Sequence, residues 1–182
     1  MAAIVLRDPS LNLVRIEEGD LAEAQGVFSQ SAAYHRLMLG KAADPDMARR
    51  CFQHPAPRLP QGRVFKHFLA IAAPNAASEF WGIVDLYVGF PKYSIATIAT
   101  WLIRENKQRQ GVGSAALQAV EAFLRREHPA VSWLDVTLSD DNLPGLKFAL
   151  RNGFSRTSSW ERVSGPDRER LLIRLEKRFV TT

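Results

Sequence analysis

The sequence predicts an α/β fold, in which a mixed sheet is flanked by helices, and three observations lead to this prediction. Runs rich in β-branched and aromatic residues indicate strands, and runs with apolar residues at helical spacing separate them. Hydrophobic residues make up 46% of the chain and charged residues 24%, which is usual for a globular protein. With 182 residues and no internal repeat, we expect a single domain over residues 1–182.

The first part of the chain is predicted to hold a strand, helices and a surface loop. LNLVRIEEGD alternates as a strand does, and Asp20 is expected to cap a helix that starts at Leu21. Helical patterns continue to about Arg50. The proline-rich CFQHPAPRLPQGR then predicts a surface loop, a candidate cover for a site.

Three consecutive strands are predicted in the centre of the chain. VFKHFLAIAAP and EFWGIVDLYVGF indicate an antiparallel pair, with a turn from Pro74 to Ser78 between them. SIATIATWLI is the third strand, and because it is nearly uncharged we expect both of its faces to be covered.

The last part alternates helices and strands. Apolar residues recur at helical spacing from Leu117 to Leu124, and His128-Pro129 ends this helix. The strand VSWLDVTLS precedes a short helix in NLPGLKFALRNGF, with Asn142 as its cap and Gly153 as its left-handed end. RTSSWERV and RERLLIRLEKRF predict a final hairpin around SGPD.

Composition and charge exclude several classes of protein. No window approaches the ~20 apolar residues of a membrane helix, and MAAIVLRD reaches a charge too early for a secretory signal. The single cysteine, Cys51, allows no disulfide framework, and the four histidines lack the spacing of metal ligands. We therefore expect a cytoplasmic protein without a metal.

The net charge of +5 is compatible with a polyanionic partner. The positive residues are spread along the chain and never form a run of five or six. Nucleic-acid binding is therefore disfavoured, whereas a small phosphorylated ligand needs only part of this charge.

The most informative segment is IRENKQRQGVGSAAL, where a strand gives way to a helix. Gly111 and Gly113 permit close backbone approach and positive φ, and the free N–H groups of the first helical turn form an anion site. Gln108, Arg109 and Gln110 add side-chain donors at its mouth, as a pyrophosphate would require. Taken alone, the two glycines favour a plain helix start with solvated charges.

Two other phosphate-binding loops fit this segment less well. A P-loop needs a Lys-Ser/Thr pair after its last glycine, where Ser114-Ala115 stands instead. A dinucleotide fingerprint needs a third glycine and follows the first strand, whereas Ala116 occupies that place in the second half of the chain.

The segment resembles the acyl-CoA pyrophosphate loop of the GNAT superfamily of N-acetyltransferases. That loop reads as an apolar residue, four of any kind, Gln or Arg, two of any kind, Gly, one more, then Gly or Ala; the matching residues here are Ile103, Gln108, Gly111 and Gly113. A second GNAT motif, on the helix after the next strand, is matched by Asn142, Gly145, Phe148 and Gly153-Phe154. The two motifs stand in the right order, separated by one helix and one strand.

The resemblance implies a GNAT fold, whose central mixed, mostly antiparallel sheet is splayed between the strand ending at Ile103 and WLDVTLS to admit acyl-CoA. It implies that backbone groups of Trp101, Leu102 and Ile103 pair with the pantetheine arm like an added strand. It places the pyrophosphate on the N–H groups of Gln108, Arg109, Gln110, Gly111, Val112, Gly113 and Ser114, and brings Asn142 near the sulfur. Homodimers are frequent in this superfamily.

The resemblance also shows what is missing, because many GNAT enzymes carry an acidic tyrosine where Ala149 stands. A methyl group cannot donate a proton, so we expect Ala149 to be a small packing residue. With cysteine as the model, the departing thiol has a pKa of ~8.5, so a thiolate leaves tolerably well without an acid, whose usual contribution is ~10²–10⁴-fold.

Asp85, in the otherwise apolar WGIVDLYVGF, is the candidate base, and Tyr87 on the same face is a candidate acid or orienting residue. A carboxylate in a central strand is either solvated or salt-bridged, or else buried with a raised pKa and a role in catalysis or amine binding. Tyr87 is also explained by packing with a satisfied hydroxyl. His67 and Cys51 are weaker candidates.

The predicted function is transfer of an acetyl group from acetyl-CoA to an amine, by direct attack in a ternary complex. An α-amine of pKa ~7.7–8.0 is partly neutral at pH 7 and needs less help from a base than a lysine of pKa ~10.4. The acceptor is an unidentified small molecule or a protein terminus. A catalytically silent acyl-CoA-binding module, a basic nucleic-acid-binding protein and a nucleotide-binding protein are the alternatives.

Overall fold

A computed structural model describes residues 3–40, 42, 44–60, 62–164 and 169–179 of the chain. The strands within these ranges are β1 (Ala3–Asp8), β2 (Leu11–Arg15), β3 (Phe65–Ala73), β4 (Ala76–Val88), β5 (Ile95–Ile103), β6 (Trp133–Ser139), β7 (Ser155–Ser164) and β8 (Glu169–Arg178). The α-helices are α1 (Leu21–Ser29), α2 (Ala32–Leu39), α3 (Met47–Gln53), α4 (Val112–Glu127) and α5 (Leu143–Arg151). Short 3-10 turns lie at Glu18–Asp20 and Glu105–Lys107.

The eight described strands form one mixed sheet in the order β1-β2-β3-β4-β5-β6-β8-β7. Strands β5 and β6 are parallel, and the other neighbouring pairs are antiparallel. This confirms the predicted fold class. The predicted final hairpin forms as β7 and β8, but residues 165–168, within and after SGPD, lie outside the described residues.

The two faces of the sheet bury different core clusters. On one face, side chains of β3 and β4 such as Leu69 and Val84 pack with α4 and α5. On the other face, Ala70 and Ile83 pack with α1 and α3, and Tyr34 of α2 lies against them. This alternation along the strands is what divides the sheet into a side with α4 and α5 and a side with α1 to α3.

Several local predictions hold and several are wrong. Helix α1 begins at Leu21 as predicted, but the Asp20 carboxylate accepts a hydrogen bond from the Glu17 N–H (3.0 Å) and makes no bond into α1. The turn between β3 and β4 is two residues long, because β4 already begins at Ala76. Strand β1 was not predicted, since its short apolar run shows no clear alternation.

The far end of α4 is joined to β3 by two histidines. Nε2 of His67 lies 2.8 Å from Nε2 of His128, with Phe123 packed edge-on to the His67 ring. Nδ1 of His67 is buried and has no hydrogen-bond partner among the described residues. The hydrogen bond between the two rings is therefore best explained when His67 Nε2 donates to His128 Nε2 and Nδ1 of His67 carries no hydrogen. Burial lowers the pKa of His67 to about 4.

Candidate active site

Strands β5 and β6 separate after a short parallel register. They pair only between Ile95–Ile98 and Trp133–Val136, although β5 continues to Ile103 and β6 to Ser139. Just beyond the last pair, Ala99 is an extra residue in β5, opposite the step from Asp85 to Leu86 in β4. Such a bulge bends a strand and increases its twist. The sheet is therefore splayed at the place that the sequence predicts.

Along the free edge of β5, the backbone N–H and C=O groups of every second residue point into this gap. The Leu102 carbonyl points to β4, because a Cβ on Gly82 would lie 2.4 Å from it. Since backbone groups alternate along a strand, Trp101 and Ile103 turn theirs to the gap. Of the three residues predicted to meet a pantetheine arm, Leu102 thus faces away. The bulged Ala99 is exposed, so the prediction that β5 is covered throughout is wrong.

Beyond β5, the glycine loop turns the chain into α4 with two left-handed residues. These are Arg109 at φ 59° and Gly111 at φ 83°. The first bond of the helix runs from the Ala115 N–H to the Gly111 carbonyl (3.0 Å). The N–H groups of residues 112–114 consequently have no acceptor within the helix and, with the positive end of the helix dipole, can bind an anion.

The glutamines of the loop hold its shape. The Gln108 side chain donates to the Ile103 carbonyl (2.8 Å), and the Gln110 side chain donates to the Asn106 carbonyl (2.7 Å). In this conformation each glutamine uses one amide N–H within the loop, whereas no hydrogen bond to the Arg109 side chain is found among the described residues. The loop is therefore braced internally, with its backbone N–H groups as the principal anion-binding groups.

Gly113 is needed for packing rather than for a positive φ. It lies within α4, and a Cβ there would come within 3.0 Å of Phe148 on α5. The Phe148 ring also contacts the Trp101 ring, with centroids 5.9 Å apart. An aromatic residue from each side of the gap thus meets beside the glycine loop.

Helix α5 keeps the predicted frame. The Asn142 side chain accepts a hydrogen bond from the Gly145 N–H (3.1 Å), and a Cβ on Gly145 would come within 2.9 Å of that side chain. Gly153 has φ 86°, and Phe154 is buried. Ala149 is 2% exposed in the core cluster, so it packs and carries no chemistry.

Asp85 is a buried carboxyl on the side of α1 to α3, beside the bulge. It is 3% exposed, and its Oδ2 lies 3.7 Å from Nζ of Lys66 on β3. Burial raises the pKa of Asp85 to about 6, and the Lys66 ammonium acts in the opposite direction. Its Oδ1 is buried without a hydrogen-bond partner among the described residues. Asp85 is thus buried with a raised pKa and also near a cation, and its role in catalysis or amine binding stays a prediction.

Tyr87 lies on the same side, opposite Lys66 in the β3–β4 register. Burial, and secondarily the Asp85 carboxylate, raises the pKa of Tyr87 to about 12. Burial also raises the pKa of the nearby Cys51 thiol to about 11. Tyr87 is therefore protonated and able to donate, whereas Cys51 is no nucleophile at neutral pH. Lys66 was not predicted as a site residue, and its signal in the sequence is a lone lysine in the apolar β3.

Two kinds of feature are not found in the part of the chain that the structure describes. None of its helices is both long enough and apolar enough to cross a bilayer. No group of three or more His, Cys, Asp and Glu side chains there is arranged to hold a metal ion.

Comparison with known proteins places this geometry in a family. The family model described as "Acetyltransferase (GNAT) family" matches residues 34–154. None of the curated proteins matches the chain significantly.

Solved structures share the whole fold at low sequence identity. An acetyltransferase from Thermus thermophilus is 20% identical, with a TM-score of 0.69 over 97% of this chain and 99% of that one. A Salmonella typhimurium acetyltransferase that modifies the N-terminal serine of ribosomal protein L7/L12 is 18% identical, with a TM-score of 0.71 and the same coverage. A ribosomal L7/L12 α-N-protein acetyltransferase in complex with coenzyme A is 16% identical, with a TM-score of 0.71 over 98% of this chain and 99% of that one.

Proposed function

The chain belongs to the acetyltransferase (GNAT) family, and from this premise we propose that it transfers the acetyl group of acetyl-CoA to an amine by direct attack in a ternary complex. The observation that carries the proposal is the gap between β5 and β6, whose free edge leads directly into the glycine loop. A long cofactor with a pyrophosphate at one end and a thioester at the other fits this continuity.

Acetyl-CoA binding is divided between the loop and the strand edge. The pyrophosphate is assigned to the backbone N–H groups from Arg109 to Ser114, with the Arg109 guanidinium beside it. The Gln108 N–H, which was also predicted to bind it, donates instead to the Glu105 carbonyl (3.3 Å). The pantetheine arm is assigned to the gap-facing backbone of Trp101 and Ile103, as an added strand. Asn142 is assigned to the sulfur end, where its amide nitrogen remains available because its oxygen caps α5.

The chemical step needs a neutral amine and a leaving thiolate. The amine nitrogen attacks the thioester carbonyl carbon, the C–S bond breaks, and its electron pair leaves with sulfur. The proton lost from nitrogen is assigned to Asp85, directly or through one water, because a carboxylate with a pKa of about 6 is ionised at neutral pH yet more basic than usual. Tyr87 is assigned to donate a hydrogen bond to the departing thiolate, in place of the phenol that Ala149 excludes, and the thiolate leaves without taking its proton.

We assign an α-amine as acceptor, in a peptide or a small molecule. Its pKa of ~7.7–8.0 leaves little work for a single weak base, whereas a lysine amine at ~10.4 would need a stronger one. Two of the structural neighbours carry names that describe action on N-terminal amines, which agrees with this assignment. The cytoplasmic location and the homodimer stay predictions.

A binding screen followed by a turnover assay tests the proposal. We expect CoA and acetyl-CoA, but not ATP or NAD, to raise the melting temperature. Release of free CoA thiol should then depend on an added α-amine. No response to either CoA species contradicts the proposal, and binding without thiol release over a broad amine panel supports the silent module that Ala149 suggests.

A further inference from the structure

Lys66 joins three parts of the molecule on the side of α1 to α3. Its ammonium donates to the carbonyl of His54 (2.7 Å) and to the carbonyl of Cys51, and it lies 3.7 Å from Oδ2 of Asp85. An ammonium has three N–H donors, so two are used by the carbonyls and the third is left on an ion pair with Asp85. Its side chain is only 14% exposed.

The two carbonyls belong to the end of α3 and to the residue that caps it. The last carbonyls of a helix have no acceptor role within the helix, and they form the negative end of its dipole. A cation at this position stabilises the helix end and fixes where it lies. Because Lys66 is on β3, its ammonium fastens α3 and the beginning of the proline-rich segment 54–60 to the sheet.

The Asp85 carboxyl is surrounded by few other titratable groups. Lys66 approaches from β3, Tyr87 from its own strand, and Cys51 from α3, with Tyr34 of α2 next to Cys51. Among these groups, Lys66 carries the positive charge at neutral pH. It lies near Oδ2, while Oδ1 is buried without a partner among the described residues.

We propose that Lys66 is a positioning residue of the acetyl-transfer site, which fixes α3 and engages Oδ2 of Asp85 so that Oδ1 is left to accept the proton of the acceptor amine. The catalytic part, which is the preparation of Asp85 for the acceptor, rests on the proposed function. The structural part, which is the contact of Lys66 with α3 and Asp85, rests on the observed distances alone. Lys66 does not touch the reacting atoms. It acts through the charge and orientation of Asp85.

A double-mutant cycle tests the structural part without any substrate. Melting temperatures are compared at pH 8 for the wild type, K66M, D85N and K66M/D85N. We expect D85N to raise the melting temperature more in the K66M background than in the wild-type background, because K66M leaves a buried carboxylate unpaired. The difference should vanish at pH 4, where Asp85 is protonated. Additive effects at pH 8 overturn the proposal.

The pH dependence of kcat/KM tests the catalytic part, using the α-amine that gives the fastest thiol release. Loss of an opposite charge within about 4 Å raises the pKa of a carboxyl by about one unit or more. K66M should therefore shift the acid limb of the kcat/KM profile to higher pH by that amount. K66R should restore the limb. The control K92M, which removes an exposed lysine from the turn between β4 and β5, should leave it in place.

The two failures give different results. If the cycle shows coupling but K66M lowers kcat/KM equally at every pH, Lys66 is only structural and the proposal is overturned. If no amine is acetylated by the wild type, the proposed function fails, and the cycle still decides whether Lys66 engages Asp85. Should K66M not fold, K66Q takes its place in both experiments, since it keeps part of the stem and ends in an uncharged amide that can still donate a hydrogen bond.

Discussion

We expect the buried Asp85 carboxyl to lower the stability of the folded protein at neutral pH, and its replacement provides a quantitative test. Its pKa is raised from 3.8 to about 6 in the fold. At 1.36 kcal/mol per unit, a rise of about two units costs the native state up to about 3 kcal/mol once Asp85 is ionised. Asp85→Asn keeps the shape of the side chain without its charge, and Lys66 keeps its two carbonyl acceptors.

The pH dependence of this effect follows from the direction of the shift. A raised carboxyl pKa means that the folded state holds its proton longer than the unfolded state does. The cost is therefore absent below pH 3.8, develops between 3.8 and about 6, and is complete above that range. We expect D85N to be more stable than the wild type at pH 8 and equal to it near pH 3.5.

Urea denaturation at several pH values measures this difference directly, and thermal melting gives a second reading. For a chain of this size, ~2–4 °C per kcal/mol predicts a rise in melting temperature of up to about 10 °C at pH 8. Asp46→Asn, at an exposed position, is the matched control and should change little. A D85N protein that is less stable than the wild type at pH 8, or whose advantage is the same at every pH, would refute the reasoning.

Three further predictions concern α4 and the glycine loop. Because burial lowers the pKa of His67 to about 4 and also lowers that of His128, stability should fall as the pH drops from 6.5 to 4. The loss for His67 is at most about 3 kcal/mol before solvent screening reduces it, and His67→Gln should flatten this slope in denaturant titrations. Gly113→Ala should cost about 1–3 kcal/mol through its clash with Phe148. In a Phe148→Leu protein, Gly113→Ala should instead raise the stability by up to about 1 kcal/mol, as expected for Ala over Gly in a helix. If Gly113→Ala is destabilising in both backgrounds, the proposed clash with Phe148 is wrong. Arg109→Gln should weaken CoA binding about tenfold by calorimetry with the melting temperature of the free protein unchanged, since a charged hydrogen bond contributes ~1.5–3 kcal/mol; equal affinity removes Arg109 from the site.

The fold, the frame of α5 and the glycine turn before α4 could be predicted because their signals are local. Helix α5 is indicated by Asn142, Gly145 and Gly153, each of which has a backbone reason that short-range spacing exposes. The glycine loop is likewise contained in one contiguous segment. The position of the gap came from the resemblance, and the end of the β5–β6 register at Ile98 confirms it.

The contacts around Asp85 and His67 could not be predicted because they join residues that are far apart in the chain. Lys66 reaches Asp85 only through the register of β3 and β4, and it reaches His54 only because α3 packs on that face. The pairing of His67 with His128 joins residues that are 61 positions apart. Such contacts depend on which helix covers which side of the sheet, and a single sequence carries no local mark of that.

Local reasoning did not reveal which neighbours some residues contact. Gln108 and Gln110 were expected to face a ligand, yet each satisfies a carbonyl of the loop itself. Gly113 was expected to provide conformational freedom, yet it provides space for Phe148. In both cases the residue type was informative, and the neighbour that it serves became visible only in the fold.

Mass spectrometry of a defined peptide pair tests the central claim most directly. One peptide has a free α-amine and an internal lysine, and the other differs only in a blocked N-terminus. After incubation with the protein and acetyl-CoA, we predict one acetyl group on the α-amine of the first peptide and none on the second. Acetylation of neither peptide, nor of any amine in a wider panel, by a protein that binds acetyl-CoA would contradict the account.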